Sequence, residues 1–511
     1  MATAQSRRTF LGQAAGLAAA TTLPVSAFGQ PVDPAIAEIT GELATGQLGR
    51  VVPPGTAGHD KITAYNARFD CVRSTTFLQP ASREGVQAIA AWAKRHNRRL
   101  AIRGVGHSFE GKSSHPDIVV DMSRMTAIGF DGERRLEVEA GVLLGAVYDL
   151  LGAKGFVIPA GTCPTVGIVG HTLGGGIGDF LPMFGFAAQA LREVTLVTLQ
   201  GTALRVTETT LDKIGGEGLD TAAIEPAALM RALRGGGQGM FGIVTNMVFE
   251  AADLRRAQLA SFKLEGAGSV SRPRAAAMLE AWQGWRMRLP PAMQDRVSSK
   301  VNFGRSGNTY SLEVAGLVVV PEGATGGGVE EIRASLGPLL GMRDWSKREF
   351  KRVANVPAAI ATFRDDDETS YNWARKQIIA SSSMLNGPLP KAALDYFLAN
   401  VPAGVDVSFY TSGGRTKTGP ATSLHPSEFL LEWVAERTRY EPNLYRRFKA
   451  INLEMMRRAN AGDGAFPNYC DHEARNYFPN RSEIDGLRAL LDPGRLSTSS
   501  LLDQQPGPAC A

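Results

Sequence analysis

Seven glycines fall between residues 161 and 178, in Pro159-Ala-Gly-Thr-Cys163-Pro-Thr-Val-Gly167-Ile-Val-Gly170-His171-Thr-Leu-Gly174-Gly-Gly176-Ile-Gly178. No packed helix or core strand sustains that density, because each glycine inside an element costs about 1 kcal/mol against alanine. Backbone laid flat against a large planar ligand does sustain it, since no Cβ stands between chain and ligand. Two further glycine-rich turns accompany the run. Arg103-Gly104-Val105-Gly106-His107-Ser108 closes a predicted strand over 100–105 and places two glycines in three positions, so backbone N–H groups can approach a diphosphate. Gly235-Gly-Gly-Gln-Gly239-Met-Phe-Gly242-Ile243-Val244-Thr245 leads into a predicted strand over 242–250.

The Arg103–Ser108 turn runs into a nucleotide-binding pattern, Gly106-His-Ser-Phe-Glu-Gly111-Lys112-Ser113. That loop works only if a helix opens at the lysine and turns its N–H groups on the phosphates. Here His115-Pro116 follows at once and Ile118-Val119-Val120 reads as a strand, so the NTPase reading is set aside. Composition excludes other classes. Lys and Arg number 55 against 50 Asp and Glu, a net +5 that is weak for 511 residues and forms no basic stripe, so no nucleic-acid partner is expected. Four cysteines exclude a disulfide scaffold, and no apolar run approaches the roughly 20 residues of a membrane span. No metal site is expected.

Ser6-Arg7-Arg8-Thr9-Phe10-Leu11-Gly12, a small-residue stretch from Ala14 to Ala20 and Val25-Ser26-Ala27 resemble a twin-arginine export signal, which implies a periplasmic or secreted mature protein. Residues 1–29 are assigned to this signal and 30–68, with Pro31, Pro34, Pro53 and Pro54, to an extended lead-in. From 69 to 253 short strands alternate with helices: a helix over 82–97 capped by Ser82, strands over 100–105, 118–122 and 136–142, a helix over 144–154, and a hairpin of 194–199 with 204–207. A second α+β domain is expected over 254–464, with helices over 271–289, 327–340 and 427–461 and strands over 296–303, 309–320 and 405–411. Residues 465–511 form a C-terminal segment ending in a helix over 482–491.

The three glycine-rich turns together resemble the p-cresol methylhydroxylase-type FAD-binding domain of the vanillyl-alcohol oxidase superfamily, and most closely its berberine bridge enzyme-like branch. Asn468-Tyr469-Cys470-Asp471 is similar to that branch's C-terminal Asn-Tyr-x-Asp. The resemblance implies an α+β fold, a two-lobed FAD-binding domain with a substrate domain whose sheet is covered by helices. It implies FAD held by Arg103, Gly104, Val105, Gly106, Ser108, Val166, Gly167, Gly170, His171, Gly174, Gly175, Gly242, Ile243, Val244 and Asn468. In that branch the histidine of the first loop bonds the flavin 8α-methyl and the cysteine of the second bonds C6; carried over, these are His107 and Cys163. A neutral imidazole and a thiolate are the nucleophiles such attachment needs.

The resemblance further implies hydride transfer from an alcohol-bearing small molecule to the flavin, with the protein supplying orientation and a base. Tyr469 is the first candidate for that base, and His425 could also face the pocket; the acidic run Asp365-Asp366-Asp367-Glu368 reads as a solvated loop. Val166 stands where valine in this family goes with oxidases, whose second substrate is dioxygen, and a bulkier residue with dehydrogenases. Carbohydrate is the leading substrate class, although Ile177 replaces the aromatic that sugar-oxidising relatives often carry and the tail lacks their Tyr/Trp-Gly-x-Asn. A dehydrogenase using another acceptor, and a flavin-loaded binding protein without turnover, are the alternatives. Cys71, Cys470 and Cys510 leave room for one disulfide.

Overall fold

The computed structural model describes residues 33–69, 75–115, 117–363, 377–471 and 476–503. The twin-arginine segment, the 365–368 acidic run, Cys71 and Cys510 lie outside them.

The chain folds as two α+β domains. In the first, a four-stranded sheet sets Ile118–Asp121 between parallel Thr76–Pro80 and Ala101–Arg103, with Gly49–Val52 antiparallel at one edge. Helix Arg83–Arg95 packs on it through Val86, Ile89, Ala90 and Ala93, and the Ser82 hydroxyl caps it by accepting from the Gly85 N–H at 3.2 Å. A six-stranded antiparallel sheet forms the second lobe, and includes the expected hairpin as Leu191–Val197 with Ala203–Val206. Both lobes share one hydrophobic core.

The extended lead-in is a correction. Pro34–Thr45 is a helix, buried through Ile36, Ile39 and Leu43, and the Trp92 indole donates to the Ala35 carbonyl at 2.7 Å. Pro34 sits at its first turn, where a missing N–H costs nothing, and Asp33 caps it; the proline marks a helix start rather than an extended chain.

The second domain is a seven-stranded antiparallel sheet in the order Trp345–Val353, Gln258–Gly266, Thr309–Val320, Val297–Ser306, Asp406–Thr411, Phe429–Arg437, Gln377–Leu385. Helices Arg272–Arg288, Lys391–Asn400 and Pro442–Arg458 cover one face, where Trp433 meets Phe397 edge-on at 5.4 Å and Trp282 meets Phe429 at 5.3 Å. The helix expected over 427–461 is therefore two elements, a strand to Arg437 and a helix from Pro442. Strand parity explains the split: Phe429, Leu431, Trp433 and Ala435 enter the helix-covered core, while Leu430, Glu432, Val434 and Glu436 turn to the other face, towards the first domain. The expected 327–340 helix is also broken, into Val329–Ser335 and Gly337–Leu340.

Candidate active site

Between the domains lies a cavity of about 410 Å³. One wall is glycine-rich backbone of the first domain, the roof is the uncovered face of the second-domain sheet, and the C-terminal segment closes it through Asn468, Tyr469, Ser499 and Leu501. Ser113 Oγ and Asp179 Oδ2, both on this wall, are buried without a hydrogen-bond partner, the mark of polar groups that face a ligand.

The Arg103–Ser108 turn, which the sequence placed after a strand, opens the wall. Gly106 has φ +93°, and a Cβ there would meet the Arg103 guanidinium at 2.0 Å. Arg103 lies behind the turn, its Nη2 donating to the Val105 carbonyl at 2.9 Å and its Nε 3.5 Å from buried Asp121. The main chain at Lys112 is a turn and not a helix, and Lys112 Nζ donates to the Asp503 carbonyl at 2.8 Å. A turn at Lys112, with its ammonium held by the Asp503 carbonyl, does not form the phosphate cradle of a nucleotide loop.

His107 projects from this turn onto the cavity. Its ring stacks on Tyr65 at 4.3 Å, and Nε2 lies 3.0 Å from Thr165 Oγ1. Burial, then the charges of Arg103 and His171, hold its pKa down at about 3, so the ring is neutral. Cys163 Sγ lies 3.2 Å from the same Thr165 hydroxyl. Val166 joins Cys163 on the cavity surface. Backbone bonds to Pro164 and Val166 from Gly145 and Leu144, both 2.9 Å, dock this segment on the start of helix Leu144–Gly152.

The glycine run serves chain packing as much as a ligand. A Cβ at Gly174 would fall 1.6 Å from Asn468 Oδ1, one at Gly178 1.8 Å from the Ala160 carbonyl, and one at Gly161 2.9 Å from the His171 ring. Only at Gly170, within the run, does nothing stand within 4 Å; it borders the cavity together with Gly167 and His171. His171 Nε2 accepts the Gly161 N–H at 3.0 Å, and burial lowers its pKa to about 4. Asn468 donates to the His171 carbonyl at 2.9 Å and accepts from Gln238 at 3.2 Å, which ties the tail to the glycine run.

The roof supplies acid–base chemistry. Glu432 accepts from the Tyr410 hydroxyl at 3.0 Å and is hydrogen-bonded to Tyr469. Enclosure raises its carboxyl to about 7, against the opposing pull of Tyr410, Lys300 and Tyr469. Burial first, and then the Glu432 charge, push the Tyr469 phenol well above its usual range. Tyr469 is therefore a proton donor at neutral pH, and Glu432 is the group with the strength of a base. The Tyr469 ring also stacks on Phe109 at 5.6 Å.

Residues 75–207 match the FAD binding domain family. An uncharacterized FAD-linked oxidoreductase of Bacillus subtilis is 30% identical over 316 residues, 61% of this chain and 62% of that protein. A berberine bridge enzyme-like protein of Cynodon dactylon, Cyn d 4, is 31% identical over 221 residues, 41% of this chain and 39% of that protein. The chain thus spans less than two thirds of either relative. The glucooligosaccharide oxidase of Acremonium strictum, solved in a study of its 6-S-cysteinyl, 8α-N1-histidyl FAD, shares the fold with a TM-score of 0.73 at 20% identity, over 92% of this chain and 99% of that one. The chain carries an FAD binding domain and is similar to berberine bridge enzyme-like and other FAD-linked oxidoreductases.

Of the residues the sequence assigned to cofactor binding, most border the cavity: Gly104, Val105, Gly106, His107 and Ser108 from the first turn, and Cys163, Val166, Gly167, Gly170 and His171 from the second. Gly242, Val244 and Asn468 complete that set. Arg103, Gly174, Gly175 and Ile243 do not border it. They shape the wall from behind: Gly175, at φ +108°, makes room for Phe466 and Leu424, and Ile243 is fully buried in the core. His425 packs against Gly464, away from the cavity. Sequence reading missed Glu432, Tyr410, Lys300 and Asp179, whose carboxylate lies 3.7 Å from Lys300. For Glu432 the signal was the alternation of 429–437, hidden by the helical reading, whereas Tyr410 and Lys300 stand in strands that were expected. Ser499 and Leu501 carried no motif.

Proposed function

We propose that the chain holds FAD in this cavity through covalent bonds to His107 and Cys163, and oxidises an alcohol-bearing organic molecule, a carbohydrate in the first instance, with dioxygen as acceptor. The observation that carries this reading is the opposition of two nucleophiles on the glycine wall to a carboxylate with a pKa of about 7 on the roof. The oligosaccharide oxidase of the same fold supports both the substrate class and the double attachment. Bound there, the flavin would accept a hydride from a substrate C–H bond and return the electron pair to dioxygen as hydrogen peroxide.

Each protein group has a defined part. Glu432 takes the substrate hydroxyl proton, directly or through Tyr469, whose raised pKa keeps it protonated until Glu432 draws on it. Neutral His107 offers a nitrogen lone pair, and Cys163 a thiol, at the cavity surface. Asp179, which borders the cavity and lies 3.7 Å from Lys300, presents a carboxylate oxygen as an acceptor that suits a hydroxylated ligand. Val166 leaves the cavity surface uncrowded beside Cys163, which favours access of dioxygen. The twin-arginine segment supports export of the folded, loaded protein.

The test is acid precipitation of the purified protein, His107→Ala and Cys163→Ala. Yellow pellets from wild type and each single variant, with a colourless pellet from the double variant, are expected. Flavin released from the wild type into the supernatant would overturn the covalent reading. Anaerobic reduction by a panel of sugars and alcohols, followed by air, tests the rest: prompt return of the oxidised spectrum is expected, and persistent reduction would identify a dehydrogenase.

A further inference from the structure

One hydroxyl stands between the two nucleophiles of the cavity. Thr165 Oγ1 is 3.0 Å from His107 Nε2 and 3.2 Å from Cys163 Sγ, and Thr165 is only 4% exposed, so bulk water does not compete for these contacts. The threonine cannot drift, because the bonds to Pro164 and Val166 on either side fasten its backbone to helix Leu144–Gly152. His107 is held from its other face by Tyr65, whose N–H donates to the Gly106 carbonyl at 3.0 Å while its ring stacks on the imidazole.

A neutral imidazole has one N–H and one lone pair, and the partner of one nitrogen decides which is which. A hydroxyl has one proton to give and lone pairs to accept. We propose that Thr165 is the positioning residue for cofactor attachment: it accepts the Nε2–H of His107 and donates its own proton to Cys163 Sγ. Nδ1 is thereby left as the nucleophilic nitrogen, and negative charge developing on the sulfur is met by a donor already in place. The opposite orientation of the hydroxyl would give its only proton to Nε2, put the imidazole proton on Nδ1 and leave the sulfur without this donor.

This inference rests on the covalent reading above. In each attachment a C–H bond of the flavin gives way to a C–N or a C–S bond. Two electrons and two protons are released, one proton from carbon and one from imidazole or thiol, and dioxygen takes them up as hydrogen peroxide. Once Nδ1 is bonded to carbon, the proton that must leave the imidazole is the one on Nε2, and Thr165 Oγ1 is its hydrogen-bond partner. The same hydroxyl therefore sets the tautomer before the bond forms and accepts the hydrogen bond of the Nε2 proton, which then leaves to the hydrogen peroxide formed.

The experiment compares wild type, Thr165→Val and Thr165→Ser by mass spectrometry of the proteolysed proteins, counting flavin on the His107 and the Cys163 peptides against total bound FAD. Thr165→Val keeps the shape and removes the hydroxyl. It should retain FAD but carry about tenfold less covalent flavin at both sites, the effect of one lost hydrogen bond at each bond-forming step; Thr165→Ser should restore both. Normal attachment in Thr165→Val, or loss at one site alone, would overturn the shared role. If Thr165→Val fails to fold, Thr165→Ser decides, since modification below the wild-type level there would also overturn it. A wild type with no flavin on either peptide would refute the covalent reading and this inference with it, whereas a doubly attached wild type and an equally attached Thr165→Val refute the inference alone.

Discussion

Replacing Glu432 by glutamine removes a base and relieves an electrostatic strain at once, and the two effects have opposite signs. The carboxyl is raised from 4.5 to about 7 by enclosure in the roof, a difference of ~3 kcal/mol between its protonated and ionised forms. In the wild type, the anaerobic reduction rate should rise with pH through about 7 and level off above it, as the ionised fraction grows. Glu432→Gln keeps a carbonyl to accept from the Tyr410 hydroxyl but takes up no proton, so the rate should fall by about 10²–10⁴ and lose that pH dependence. Stability moves the other way. Because the folded-state pKa lies above the unfolded one, the folded protein binds more protons between pH 4.5 and 7. The contribution is fully present below 4.5 and is lost as pH rises through 7, by up to ~3 kcal/mol. Glu432→Gln escapes that loss, so it should resist urea better than wild type at pH 8 and show no such advantage at pH 4.5. Stopped-flow reduction and urea titrations at the two pH values check both arms. A glutamine variant that reduces at the wild-type rate with the same pH midpoint would refute the assignment of Glu432 as base.

Three further outcomes follow from the wall and its supports. Val166→Ile should leave anaerobic reduction unchanged and slow reoxidation by air about tenfold, an added barrier of ~1.4 kcal/mol, read by following the flavin spectrum after mixing with oxygenated buffer. Gly174→Ala would drive a Cβ to 1.6 Å from Asn468 Oδ1 and 2.4 Å from Gln238 Nε2, so it should cost ~1–3 kcal/mol and reduce retained flavin, whereas Gly170→Ala, with nothing within 4 Å, should melt near wild type. Arg68→Ala should lower stability by ~3 kcal/mol in a thermal or urea transition, because it removes the guanidinium 2.5 Å from the almost fully buried Glu110 carboxylate; Arg68→Met combined with Glu110→Leu should recover most of the loss.

The first domain was legible because its signals are local. Ser82 before an apolar 3.6-residue period, two short strands around Gln200-Gly201, and a strand running into Arg103-Gly104-Val105-Gly106 each specify their structure within a dozen residues. The site was half legible for the same reason: His107 and Cys163 sit in glycine-rich turns with a recognisable spacing, but Glu432 sits in an ordinary strand. Phe429-Leu-Leu-Glu-Trp-Val-Ala-Glu-Arg437 alternates with period two only when Leu430 and Val434 are granted places on the cavity side of the sheet, and its length runs straight into a true helix at Pro442. The helical reading therefore swallowed it. The meaning of Gly174 and Gly178 was equally hidden, since what fills the space of their missing Cβ atoms is Asn468 and Ala160, far away in the chain or on the far side of a turn. Pro34 misled for a simpler reason, because proline opens helices as readily as it marks extended chain.

The division of the site between two domains has a consequence for how substrate range can change. On the roof, Lys300 lies opposite Tyr410, and Ser408 lies between Asn302 and Glu432 in register, so the polar groups form one continuous patch across three strands. Ser408 donates to Asn302 at 3.2 Å and Asn302 to Glu313 at 3.3 Å, which extends the patch to a fourth. Every one of these residues alternates with a neighbour such as Val301, Phe303, Val407, Phe409 or Trp433 that is buried under the helices. A substitution at Tyr410, Glu432, Val434 or Glu436, the members of this face that border the cavity, therefore alters which ligand the roof accepts while the helix-covered core keeps its packing. The glycine wall has no such freedom, because every glycine in it except Gly170 is filled from behind, by His171, Val105, Asn468, Phe466, Ala187 or Ala160. Variation in substrate should accordingly gather on the even-numbered face of strands Asp406–Thr411 and Phe429–Arg437, with the 161–178 wall held constant.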